Sequence, residues 1–144
     1  MSWDVYVYKF DKTYFNIYDI PSDAITLSLG ARETVQKEIS KYFPGTDWRD
    51  PFLGDWQSSD GSIDFSIGED EEVDSLALFV RANNSAVSRI VALVKANGWQ
   101  AIDTGGEDSF LEQRENAESG LEHWREFRDY VRENPESVSR DTTP

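Results

Sequence analysis

From Val5 to Phe10 the chain reads VYVYKF, β-branched and aromatic side chains in alternation, which predicts a strand. Ile63, Phe65 and Ile67 face one way against Ser62, Asp64 and Ser66, directly after the turn signal SSDG, and predict another. Leu76, Leu78 and Val80 alternate with Ala77 and Phe79, apolar on both faces, so this strand is expected to be central. WQAID (99–103) reads as a short last strand. Between these runs the period changes to that of a helix. Ala31, Val35, Ile39, Tyr42 and Phe43 share one face of a helix over 31–42, stopped by Pro44-Gly45. Val87, Ile90, Val91 and Val94 form the stripe of a second, capped by Asn84 or Ser85 and ended by Asn97-Gly98. A third is expected from about Glu112 to Asn134, with Leu121, Trp124, Phe127, Tyr130 and Val131 as its buried stripe and Pro135 as its stop. Gly120 weakens the early half by about 1 kcal/mol relative to Ala, which moves the expected start towards 118.

The order strand, helix, strand, strand, helix, strand is the βαββαβ pattern of a ferredoxin-like split unit: α+β, an antiparallel sheet with two helices on one face, here with an extra C-terminal helix. Residues 11–30 are expected to form a long ordered loop packed down by Tyr14, Phe15 and Tyr18. TDWRDPFLGDW reads as a connector anchored by Trp48, Phe52 and Trp56. A single domain over 1–134 and a polar, disordered tail over 135–144 complete the expected organisation.

At 144 residues the chain has the length of one compact domain. Without a single cysteine it has no disulfides, no thiolate nucleophile and no Cys-based zinc site. The opening MSWDVYVYKF lacks the basic and apolar regions of a signal peptide, and no run approaches the ~20 apolar residues of a membrane span. A cytoplasmic protein is expected. Charge narrows the partners further, with 28 acids against 14 bases and a net −14. Phosphate backbones and anionic membranes would be repelled, so neither nucleic acid nor membrane is expected. The favourable charged partner is basic, and a homodimer is the other association to consider.

The acids concentrate in GDWQSSDGSIDFSIGEDEEVDSLALFVRA, where eight carboxylates precede the first base. Three readings apply to Asp60, Asp64, Glu69, Asp70, Glu71, Glu72 and Asp74: a solvated hairpin, a surface for a basic partner with Trp56 as apolar anchor, or an acid-based active site, favoured in that order. The third reading is a metal-assisted hydrolase, which requires one acid in an apolar pocket and another left solvated. An EF-hand is not spelled here, because the acids are contiguous and Gly68 precedes them. His123 is the one histidine and reads as an exposed helix residue. The glycines of DTGGED lack P-loop spacing and its lysine. No catalytic residue, metal ligand or cofactor is assigned.

The opening MSWDVYVYKF, then DIPSD, FPGTDWRDP, the acidic stretch above, AVSRIVALVKANGWQAIDTG and a late WREFRDYV resemble, in this order, a widespread family of small uncharacterised bacterial cytoplasmic proteins. That resemblance carries no catalytic residue onto any position. In size, acidity and lack of catalytic groups the chain is also similar in character to immunity proteins that neutralise bacterial toxin domains. By that analogy it is expected to be a non-enzymatic protein-binding module, with a self-associating module seamed by Trp124 and Tyr130 as a third possibility.

Overall fold

The computed structural model describes residues 2–104 and 108–133. The expected tail at 135–144 and the glycines Gly105 and Gly106 of the DTGGED turn lie outside the described residues.

The chain is α+β. Strand β1 (Trp3–Phe10) is central; β7 (Leu76–Ala82) pairs along one edge, followed by β5 (Gly61–Ser66) and then β4 (Leu53–Ser58). The other edge of β1 is shared: β8 (Gln100–Asp103) pairs with Val5 to Tyr8, and β2 (Thr26–Leu27) with Lys9 and Phe10. All these pairings are antiparallel. A separate two-stranded ladder joins β3 (Gly30–Ala31) to β6 (Glu72–Val73).

One strand was not expected. The segment read as a connector, TDWRDPFLGDW, supplies the first four residues of β4 (Leu53–Ser58), a full sheet member registered with β5 from Leu53↔Ser66 to Ser58↔Gly61. Its alternation is disguised by Gly54, which faces the core. A Cβ there would collide with the Trp48 ring, so only glycine lets the tryptophan lie against the strand.

Period two sorts the sheet into two faces. Trp3, Val80, Ile63 and Trp56 are successive cross-strand neighbours and all are buried, as are Val5, Leu78 and Phe65. Helix α1 (Arg32–Tyr42) and helix α2 (Ser85–Ala96) cover that face. From α1 come Val35, Ile39 and the following Phe43, whose ring meets Trp56 at 5.1 Å and Phe65 at 5.0 Å; Ala31, expected on the same stripe, is exposed. From α2 come Ala86, Val87, Ile90, Leu93 and Val94. The opposite face carries Asp4, Phe79, Asp64 and Asp55 in one cross-strand row.

Helix α3 (Ser119–Glu133) starts where Gly120 moved its expected start. Leu111–Gln113, where the broader expected helix was to begin, form a separate 3-10 turn. The buried stripe is a correction. Leu121 is fully buried and Trp124 packs on the core, but Phe127 and Tyr130 are 56% and 52% exposed. Arg125 and Arg128 take the inner positions beside Trp124. The 11–30 loop is corrected in the same way: Tyr14 is buried against Phe10, whereas Phe15 and Tyr18 stand in solvent.

Candidate functional site

The expected acidic surface divides into three places. β5 is a run of six residues, so its two ends lie roughly 20 Å apart at ~3.3 Å per residue. Asp60 sits in the β4–β5 turn at one end, where its backbone oxygen and Oδ1 accept from the backbone N–H and side-chain amide of Asn83. Asp64 lies mid-strand on the face away from the helices, in an ion pair of 3.2 Å with Arg81. Glu69, Asp70, Glu71, Glu72 and Asp74 occupy the connection at the far end and are all exposed. The single surface expected from one hairpin is thus not formed, because the turn and the acidic connection leave β5 at opposite ends.

Trp56 is a further correction. It is 3% exposed, on the helix-covered face, with Phe43 against its ring and the Arg89 guanidinium 5.7 Å from its centroid. Buried in this way, it offers no anchor to a partner.

The acidic connection is held in shape. Leu29 N–H donates to the Val73 carbonyl and Arg32 N–H to the Glu71 carbonyl, extending the β3–β6 ladder into the start of α1. The Arg32 guanidinium lies 4.9 Å from the Phe52 ring centroid and donates to the Glu69 carbonyl at 2.6 Å. Ser28 hydroxyl donates to Glu72 Oε2 at 2.7 Å. Glu71 and Glu72 therefore sit at the N-terminal end of α1, where the unpaired N–H groups of the first turn favour negative charge. Part of the acid density thus has a structural role. Asp70, Glu72 and Asp74 also line a shallow cleft of about 300 Å³ with Ser66, Ser75 and Ala77. Such a cleft admits an ammonium or guanidinium group. Among the described residues no three His, Asp or Glu side chains are arranged to hold a metal ion.

A second cleft, of about 580 Å³, lies at the other end of the sheet. Its lining includes Arg81, Arg125, Arg128 and Arg132 with Trp124 and Asp60. Sequence reading missed it, although Arg125, Arg128 and Arg132 fall at i, i+3 and i+7, one face of a helix. Trp124, Phe127 and Tyr130, at helical spacing on the same helix, mask them in the sequence.

Between these ends Asp103 anchors α3. The Trp3 indole donates to its Oδ2 at 2.9 Å and Arg114 pairs with its Oδ1 at 2.5 Å. The N-terminal turn of α3 abuts the same carboxylate at Gly120. Asn84, at the start of α2, ties the two helices together: its amide donates to Glu118 at 3.0 Å, and its oxygen accepts from Arg125 at 2.5 Å. Ser85 N–H is capped from Asn83 instead.

Comparison with family models, with curated proteins and with solved structures finds no match.

Proposed function

We propose that the protein is a non-enzymatic binding module whose acidic end, Glu69 to Asp74, takes a basic protein partner. In its sharpest form it is an inhibitor of the immunity type, occupying the cationic cleft of a toxin domain. The observation that carries this reading is the cleft formed by Asp70, Glu72 and Asp74. Exposed carboxylates on an ordinary turn would cost conformational entropy to align, whereas here the backbone beneath them is already fixed by Arg32 and the β3–β6 ladder, and Ser28 holds the Glu72 carboxylate itself. A preorganised negative surface steers a basic partner and speeds its capture. Leu27, which precedes Ser28 and is 40% exposed, replaces Trp56 as the apolar contact beside the acids.

The fold reading that accompanies this proposal is ferredoxin-like. The order β8-β1-β7-β5, with α1 and α2 on one face, supports a split βαβ core to which β4 adds an edge strand.

The test is capture of a partner from host lysate by the tagged full chain, compared with a variant carrying Glu69→Lys, Asp70→Lys, Glu72→Lys and Asp74→Lys. A basic protein retained by the first and lost from the second supports the reading. Equal retention by both removes the acidic end from the interface.

A further inference from the structure

We propose that the arginine-lined cleft between α3 and the β4–β5 turn binds a small phosphate-bearing anion carrying two or more negative charges. Four of the chain's nine arginines converge there, in a molecule whose acids outnumber its bases two to one. The chain as a whole carries a net −14, yet at this cleft the four guanidiniums face Asp60, the one carboxylate of the lining among the described residues. Two of the four are partly neutralised, Arg81 by Asp64 and Arg128 by the adjacent Asp129, each at 3.2 Å. Arg125 and Arg132 have no carboxylate partner among the described residues, and Arg125 rests its charge on the amide oxygen of Asn84. Glu118 and Glu122 approach the same Asn84 from its amide side.

Uncompensated guanidiniums held together repel one another, and a multiply charged anion relieves that repulsion. Arginine presents its donors in a planar fork that matches phosphate oxygens in pairs. A phosphate monoester carries about −1.5 to −2 at neutral pH, so one or two such groups match the surplus of this lining. The volume falls within the roughly 300–1,000 Å³ of small-molecule sites. Trp124, with the Arg128 guanidinium 5.2 Å from its ring centroid, gives the cleft an ordered wall. A nucleic-acid polymer is the wrong size of anion, because its further phosphates would run over a surface of net −14. Within a Debye length of about 8 Å in physiological salt, a compact ligand feels the cleft rather than the distant acids.

The experiment is a calorimetric titration of the full chain with pyrophosphate, with arginine Nε–H resonances followed by NMR. Saturable binding is expected, with shifts confined to Arg81, Arg125, Arg128 and Arg132. The double variant Arg125→Gln/Arg132→Gln should weaken binding tenfold or more, and Arg49→Gln, on a remote exposed side chain, should leave it unchanged. No saturation in the millimolar range overturns the proposal, as does equal binding by the double variant or shifts at other arginines. Should the double variant fail to fold, the location of the shifts in the unaltered chain decides. Sedimentation at rising concentration covers the rival occupant: a mass increase abolished by charge reversal at Glu69 to Glu72 would assign the cleft to the acidic end of a second copy and overturn the small-anion reading.

Discussion

Arg114 reaches Asp103 across 2.5 Å in an ion pair whose side chains are 4% and 0% exposed, directly against the first turn of α3 at Gly120. The guanidinium also donates to the Ser109 carbonyl, and the carboxylate accepts from the Trp3 indole. Two charges removed from water in this way are tolerable only as a pair. Asp103→Asn leaves the arginine buried without its counter-charge and is expected to cost about 3–5 kcal/mol in urea unfolding. Exchanging both for apolar residues of similar volume should cost much less, which separates the lost charge balance from lost packing.

Gly120 answers to the same carboxylate. In most helices Gly→Ala gains up to about 1 kcal/mol. Here a Cβ would fall on Asp103 Oδ2, so Gly120→Ala is expected to reverse the sign and destabilise by about 1–3 kcal/mol. The penalty should shrink in an Asp103→Ala background, because the obstructing oxygen is gone. A double-mutant cycle by urea denaturation measures that coupling directly.

Trp56→Ala should behave as a core truncation. The ring packs on Phe43 and is closed off from solvent, so a loss of about 3–5 kcal/mol is expected, read from thermal or urea unfolding. If the substitution weakened partner capture while leaving stability unchanged, the ring would face a partner rather than the core.

Helices α1 and α2 and the strands β1 and β5 were legible because each repeats at its own period, β7 because it is apolar on both faces, and β8 as the short run WQAID after the Asn97-Gly98 stop. β4 was not, since its inward positions are Gly54 and Trp56 and its outward ones Leu53, Asp55 and Gln57, a pattern in which the smallest side chain stands where the largest was sought. The acids of 60–74 lie close together in sequence, but strand β5 separates them, and only the sheet register shows that Asp60 and Glu69 leave it at opposite ends. The stripe of α3 misled for a different reason. Aromatic residues at helical spacing outweighed the arginines, yet the helix turns Arg125 and Arg128 inward and leaves Phe127 and Tyr130 exposed. The buried ion pair joins positions 103 and 114 across a loop, and no spacing rule marks such a pair in advance.

Glu112 gives the structure a pH response. Burial holds its carboxyl above the ordinary 4.5, opposed by the hydrogen bonds it accepts from Ala101 N–H and the Gln100 amide and by the nearby Arg114 charge. The folded state therefore binds this proton more tightly than the unfolded chain does. The associated stability is fully present below 4.5 and is lost as the pH rises through the raised folded value. Glu112→Gln removes the titration while keeping one oxygen for Ala101 N–H. Unfolding free energies measured from pH 4 to 7 should consequently fall less steeply in the variant than in the unaltered chain. An unaltered pH slope in the variant would assign the dependence to other carboxylates.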